Sequence, residues 1–219
     1  MPPTLDVDIA VFDLDGTLID SKTDIANALN WTFGRFGYDP LPMELIGEFV
    51  GNGVGPLITR AAQAAGHAER EPEILELFRG RYWDHLLDHT VMFPGVAETL
   101  AYLNGRYRMG LVSNKPERYT QRIVDELGMR PYFGRAVFGG DTLPVKKPDP
   151  AALREIARLY GGATARMVYV GDSAVDVRTA RNAGALPIAV TYGFRGIEEL
   201  RGAGPEMMIG RFDELRELL

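Results

Sequence analysis

Apolar residues follow two rhythms along this chain. VDIAVF (Val7 to Phe12) is an almost unbroken apolar, β-branched run, which predicts a buried strand. The next stretch, SKTDIANALNWTFGRFG, changes period: Ile25, Ala28, Leu29, Phe33 and Phe36 fall on one helical face. Ser21 with Asp24 predicts a capping box at its start, and Gly37 a stop. Helical signals continue to about His89 through ELIGEFV, PLITRAAQAAG and EPEILELFRGRYWDHLLDH, with no convincing strand between them. Beyond MFPGVAETLAYLNG the rhythm alternates. Strands are predicted at YRMGLVS, RAVFGG, RMVYVGD and LPIAVTYG, with a short one in EMMIG. Helices are predicted at PERYTQRIVDELG, DPAALREIARLYGG, AVDVRTARNAG and the C-terminus, the second with Asp149 as cap and Pro150 at its first position. Such alternation implies a parallel sheet with helices on both faces. The expected fold is therefore α/β, a Rossmann-like parallel core (1–19 and 92–219) with an inserted all-helical cap (20–91). No internal repeat or low-complexity segment interrupts it.

Polar residues at the predicted strand ends change the picture. The first strand runs into Asp13 and Asp15, the second into Ser113, Asn114 and Lys115, and another into Asp172 and Asp176. Lys146 and Lys147 precede a helix. In open parallel sheets, ligands bind beyond the carboxyl ends of the strands. Two carboxylates as close as Asp13 and Asp15 repel each other, so a cation is the simplest third partner. Clustered carboxylates suit a hard cation such as Mg²⁺, which usually also binds substrate phosphate.

Composition narrows the function classes. The chain has 219 residues, enough for a full core, and a net charge of −6, which argues against a general nucleic-acid binder. It has no cysteine, which excludes disulfides, thiol catalysis and thiolate metal sites. No apolar run has the length of a membrane span, and MPPTLDVD lacks the regions of a signal peptide, so a cytoplasmic protein is expected. Of 24 basic residues only Lys22, Lys115, Lys146 and Lys147 are lysine. Three of the four lie in the motif segments, where a compact point charge is wanted rather than a planar fork.

Together DxDGT at the first strand, Ser-Asn after the second, Lys-Pro before a helix and GDSxxD after a later strand resemble the haloacid dehalogenase superfamily. The resemblance covers essentially the whole chain, in order. The insert is similar to the helical cap of the phosphatase branch. DLDGTLIDS, VGNGV, GGDTLPVKKPDP and YVGDSAVDVRTARNAG look most like phosphoglycolate phosphatases. Carried over by residue, the resemblance implies Asp13 as nucleophile forming an aspartyl-phosphate and Asp15 as general acid and base. It also implies Ser113 and Asn114 on the phosphate oxygens, and Lys147 neutralising charge. Mg²⁺ is expected on Asp13, the Asp15 carbonyl and Asp172, with Asp176 in support. Gly16 and Thr17 of the first motif are expected at the substrate. The dehalogenase branch and the ion-pumping ATPases lack an acid at the position of Asp15, so phosphoryl chemistry is the better reading.

Plainer readings exist for several of these residues. Ser113 and Asn114 also suit a helix cap, and Asp176 could cap or pair with Arg178 or Arg181. His85 and His89 have i, i+4 spacing without a third ligand, which predicts a wet helix face. The expected activity is Mg²⁺-dependent hydrolysis of a small phosphomonoester, 2-phosphoglycolate by resemblance. The alternatives are a phosphomutase, a phosphatase or pyrophosphatase for another small compound, and a non-catalytic binding module. The partner is a small phosphorylated molecule rather than nucleic acid or membrane, and the chain is expected as a monomer or homodimer. Between Asp20 and Thr90 there are six basic and eleven acidic residues, so the cap offers few groups for a substrate carboxylate. Lys22, Arg60 and the backbone N–H groups of Gly51 to Gly53 are the expected ones.

Overall fold

A computed structural model describes residues 5–219. The opening MPPT, part of the expectation about a signal peptide, lies outside the described residues. β1 (Ile9–Phe12) is the centre of the sheet, and its four side chains are buried on both faces. β2 (Ile19–Asp20) follows, then α1 (Lys22–Arg35), α2 (Met43–Phe49), α3 (Val54–Ala64) and α4 (Glu71–Asp84). The chain returns through β3 (Val91–Met92) and α5 (Val96–Leu103) to β4 (Arg108–Val112). It continues through α6 (Glu117–Glu126), α7 (Arg130–Phe133), β5 (Val137–Phe138), α8 (Ala151–Leu159) and β6 (Met167–Gly171). α9 (Ala174–Ala183), β7 (Leu186–Val190), α10 (Ile197–Ala203), β8 (Met207–Ile209) and α11 (Leu215–Leu218) complete it.

The six core strands are parallel, in the order β5-β4-β1-β6-β7-β8. Strand order reverses at β1, which has β4 on one side and β6 on the other. Phe12 is level with Leu111 and with Val170. Asp13, Ser113 and Asp172 therefore leave three neighbouring strands at the same edge, the place where such sheets bind ligands. Alternation of side chains gives the sheet two cores. Ala10, Phe12, Leu111 and Val170 join one apolar cluster, and Ile9, Val11, Val112 and Tyr169 join the other. The first cluster continues into the helical block through Ile25, Leu29, Ile46, Leu57 and Phe78.

The architecture is the expected α/β core with a helical cap, and local details differ. β2 and β3 form an antiparallel ribbon, Ile19 beside Met92 and Asp20 beside Val91, through which the chain enters and leaves the helices. Two-residue strands are too short to leave an alternating pattern. The Ser21–Asp24 capping box does not form. The Ser21 hydroxyl instead donates to Asp15 Oδ1 at 2.5 Å. Asp24 accepts from the backbone of His89 and Thr90 and from their side chains, fastening α1 to the start of β3. Burial alone would raise the Asp24 carboxyl, but these donors hold it below its ordinary range. α4 stops at Asp84, so His85 and His89 share no helical face: His85 contacts Asp88 and His89 contacts Asp24. α8 starts one residue later than expected, with Pro150 as the flanking residue, and Asp149 Oδ1 accepts from Ala151 N.

Candidate active site

Just past β1 the chain makes a tight turn in which Gly16 N–H donates to the Ile19 carbonyl. Gly16 has φ of +81°, and a Cβ there would lie 2.1 Å from Asp172 Oδ2. The turn and the acid are thus packed backbone to carboxylate, which only glycine permits. Phe194 N–H holds the same Asp172 oxygen at 2.7 Å. Asp13, Asp172 and Asp176 are all buried, and ligand oxygens from the three lie within 4.8 Å of one another.

These carboxylates are unequally satisfied. Asp176 Oδ1 accepts from Lys147 Nζ at 2.7 Å and Tyr169 OH at 3.2 Å. Its Oδ2 accepts from Ser173 N–H at 3.0 Å and the Ser173 hydroxyl at 2.6 Å, closing a capping box on α9. Neither Arg178 nor Arg181 is its partner among the recorded ion pairs. Asp13 Oδ1 lies 2.8 Å from Lys147 Nζ, but off the line of a hydrogen bond, and no donor among the described residues satisfies it. Burial pushes the Asp13 carboxyl up to about 7, against the pull of Lys147 and with the Asp176 charge adding to the rise. Burial, then Asp176 and Asp13, push Asp172 well above its ordinary value. Burial works to lower Lys147, but the charges of Asp13 and Asp176 outweigh it, and it remains an ammonium. A buried acidic trio with an orphaned oxygen and only one ammonium is short of positive charge. Its all-oxygen donor set fits a hard divalent cation.

Asp15 faces another network. Lys115 Nζ donates to both its oxygens, at 2.9 and 3.1 Å, and to Tyr82 OH at 2.7 Å. Ser113 Oγ accepts from Lys115 N–H, and Asn114 Nδ2 donates to the carbonyls of Gly51 and Lys147. Among the described residues, Asn114 Oδ1 and Thr17 Oγ1 are buried without a partner. Above these groups lies a cavity of about 40 Å³. Its core side presents Asp13, Asp15, Ser113, Asn114 and Lys115. Its cap side presents Ile25, Val50, Gly51, Gly53, Val54, Leu57, Phe78 and Tyr82.

The expected residues therefore assemble, with two exceptions. Arg60 does not reach the cavity: it lies in a separate groove with Glu48, Phe49, Arg195 and Glu199. Val54 and Leu57 take the face of α3 that meets the cavity, and Arg60 is turned towards the seam. Lys22 also points away, its Nζ 5.1 Å over the Phe194 ring. Gly51 and Gly53 are at the cavity, and their loop is tied to the core. Lys146 Nζ donates to the Asn52 carbonyl at 3.0 Å, and Arg195 donates to the carbonyls of Glu48 and Val50. The sequence carries no functional signal for Tyr82 or Arg195, and marks Ser21 only as a helix cap. Tyr82 shares an i, i+4 stripe with Phe78, which is indistinguishable from ordinary core packing.

Comparison with known proteins agrees with this geometry. The profile of the family described as Haloacid dehalogenase-like hydrolase matches residues 10–190. A phosphoglycolate phosphatase of Pseudomonas fluorescens is 39% identical over 218 residues, covering 96% of this chain and 78% of that protein. One from Chromobacterium violaceum is 39% identical, covering 95% of this chain and 94% of its own. Among solved structures, a protein described as a predicted phosphoglycolate phosphatase from Haemophilus somnus superposes with a TM-score of 0.92 at 27% identity. That match covers 98% of this chain and 99% of the other. With the profile spanning the first strand to the seventh and the acids gathered at one sheet edge, this chain belongs to the haloacid dehalogenase-like hydrolase family.

Proposed function

We propose that this phosphatase hydrolyses a small phosphomonoester, 2-phosphoglycolate, through an aspartyl-phosphate on Asp13. One observation carries the reading. The Asp13 carboxylate opens onto the cavity with an unsatisfied oxygen, beside Lys147 and Asp172, while Asp15 stands across the same space. Asp13 attacks phosphorus and the bond to the ester oxygen breaks, the leaving alkoxide taking a proton from Asp15. In the second half Asp15 takes a proton from water, the water oxygen attacks phosphorus, and the bond to Asp13 breaks. Lys115 Nζ, 2.9 Å from Asp15 Oδ1, supports this role by holding the acid in place at the cavity. Ser113 and Asn114 orient phosphate oxygens, and Lys147 offsets the repulsion between nucleophile and phosphate dianion.

Mg²⁺ would be held by Asp13, the Asp15 carbonyl and Asp172. Asp176, with both oxygens already accepting, supports the site by fixing Lys147. When bound, the cation supplies charge stabilisation that one lysine alone does not. The ribbon of β2 and β3 supports a division into core (1–19 and 92–219) and cap (20–91), with the ribbon as hinge. The names of the relatives and the small cavity support a short leaving group over a hexose.

The test is a panel of phosphomonoesters scored for Mg²⁺-dependent phosphate release, with mass spectrometry of acid-quenched enzyme. The expected result is preference for phosphoglycolate and one phosphoryl group on Asp13. A preference for hexose phosphates would refute the substrate; release with no trapped phosphoryl group on Asp13 would refute the route.

A further inference from the structure

The proposed substrate has two anionic ends, and the site described above accounts for one. With phosphate at Asp13, the carboxylate must meet a donor elsewhere in the cavity. Arg60 and Lys22 are turned away from it. Tyr82 is the one cap side chain lining the cavity that carries a polar atom, and Lys115 is the one cation lining it.

We propose that Tyr82 and Lys115 together form the receptor for the carboxylate of the leaving group, a reading that rests on the phosphatase function proposed above. The Tyr82 oxygen accepts from Lys115 Nζ at 2.7 Å. Among the described residues no acceptor takes the hydrogen of that hydroxyl, although Tyr82 is only 3% exposed. A buried O–H without an acceptor is costly, and an arriving carboxylate oxygen relieves that cost. The same carboxylate lies against the Lys115 ammonium; one N–H shared between the two Asp15 oxygens and one to Tyr82 leave the third for substrate. Charge-assisted bonds of this kind are about twice as strong as neutral ones.

The donor is also held in place. The Tyr82 ring stacks on Phe78 (centroids 5.4 Å apart, 18° between planes) and meets Tyr119 edge-on (5.6 Å, 66°). Burial raises the Tyr82 hydroxyl above its ordinary value, so it remains a donor across the physiological range. The other cap side chains at the cavity, Ile25, Val50, Val54, Leu57 and Phe78, offer a carboxylate nothing, and Gly51 and Gly53 have only their backbone to offer. A site with one fixed polar receptor in an apolar wall rejects an analogue that lacks the matching group.

Ethyl phosphate has the length of phosphoglycolate and a methyl in place of the carboxylate, so the pair isolates the receptor. Tyr82→Phe keeps the ring packing and removes only the O–H; an unchanged melting temperature confirms the fold. The expected result is a fall in kcat/KM for phosphoglycolate of about 10- to 100-fold, and a loss on ethyl phosphate at least tenfold smaller. Equal losses on the two esters overturn the receptor. So does a wild-type enzyme that hydrolyses ethyl phosphate as efficiently as phosphoglycolate, although the phosphatase reading then stands. Wild-type enzyme releasing phosphate from neither ester overturns the function itself and the receptor with it.

Discussion

The core side of the cavity is built of charged groups held by specific partners, with the acidic trio alone short of positive charge. Asp176 has four donors, Lys115 holds both oxygens of Asp15, and Lys147 bridges two acids. On the cap side, four of the lining side chains are aliphatic, one is phenyl and one is a phenol. The core wall is polar, and apart from Lys115 the groups it presents gather around the acids at the sheet edge. The cap wall has no charged side chain at the cavity and sees only the leaving group. On the function proposed above, chemistry belongs to the core wall and selection to the cap wall with Lys115, so substitutions on each should fail in different ways.

The largest effect is expected on the core wall. Asp13→Asn should lower turnover by more than about 10⁴-fold on every phosphomonoester, with the protein still folded. An amide is a poor nucleophile and a poor cation ligand at once. Activity within tenfold of wild type would remove Asp13 from the mechanism. Exhaustive chelation should abolish phosphate release, and Mg²⁺ should restore it. Ca²⁺ should not, because it accepts bidentate carboxylates and would engage both Asp13 oxygens. Full activity in chelator would break the comparison at its root.

Asp176→Asn should cost both activity and stability. It leaves Lys147 with one carboxylate, and the amide, keeping a single acceptor oxygen, cannot serve both Ser173 on one side and Lys147 with Tyr169 on the other. A fall in kcat of about 10²-fold and in melting temperature of about 5–10 °C is expected for the loss of one partner of a buried pair. Stability without metal should also carry the signature of the crowded acids. The Asp13 carboxyl is raised from 3.8 to about 7 on folding, so the folded protein holds a proton that the unfolded chain releases between those values. This contribution is complete below about pH 4 and is lost as pH rises through about 7; Asp172 acts in the same direction. In chelator the melting temperature should therefore fall by several degrees from about pH 5 to about pH 8, and Asp13→Asn should flatten that slope. The smallest effect belongs to Arg60→Ala. Because Arg60 lies in the groove with Glu48 and Arg195, losses on phosphoglycolate and ethyl phosphate should match within about threefold. A selective loss on phosphoglycolate would return Arg60 to the cap wall.

What could be read in the sequence divides along the same line. Asp13, Asp15, Ser113, Lys147 and Asp172 stand at strand ends or just before a helix, where an abrupt change from apolar to polar marks them. Tyr82 could not be found this way, because a helix presents functional and packing residues in one period. Arg60 was placed on the right helix, but a single helix pattern does not say which side meets the cavity. Ser21 and Asp24 had the spacing of a local cap. Their partners proved to be Asp15 in the active-site turn and His89 and Thr90, about 65 positions along the chain, and no local pattern contains such contacts.

The scarcity of lysine has a practical consequence. All four lysines lie where core and cap meet: Lys115 and Lys147 are buried at the acids, Lys146 reaches the Asn52 carbonyl, and Lys22 lies over Phe194. The rest of the surface carries its positive charge as arginine. Amine-directed labelling of the side chains therefore samples almost nothing but this junction. Lys146, exposed at its rim, should react with the cap placed as in this structure. Lys115, buried beneath the cap, should stay unlabelled unless the hinge proposed at the β2–β3 ribbon opens, so the ratio of the two labels tests that hinge in solution.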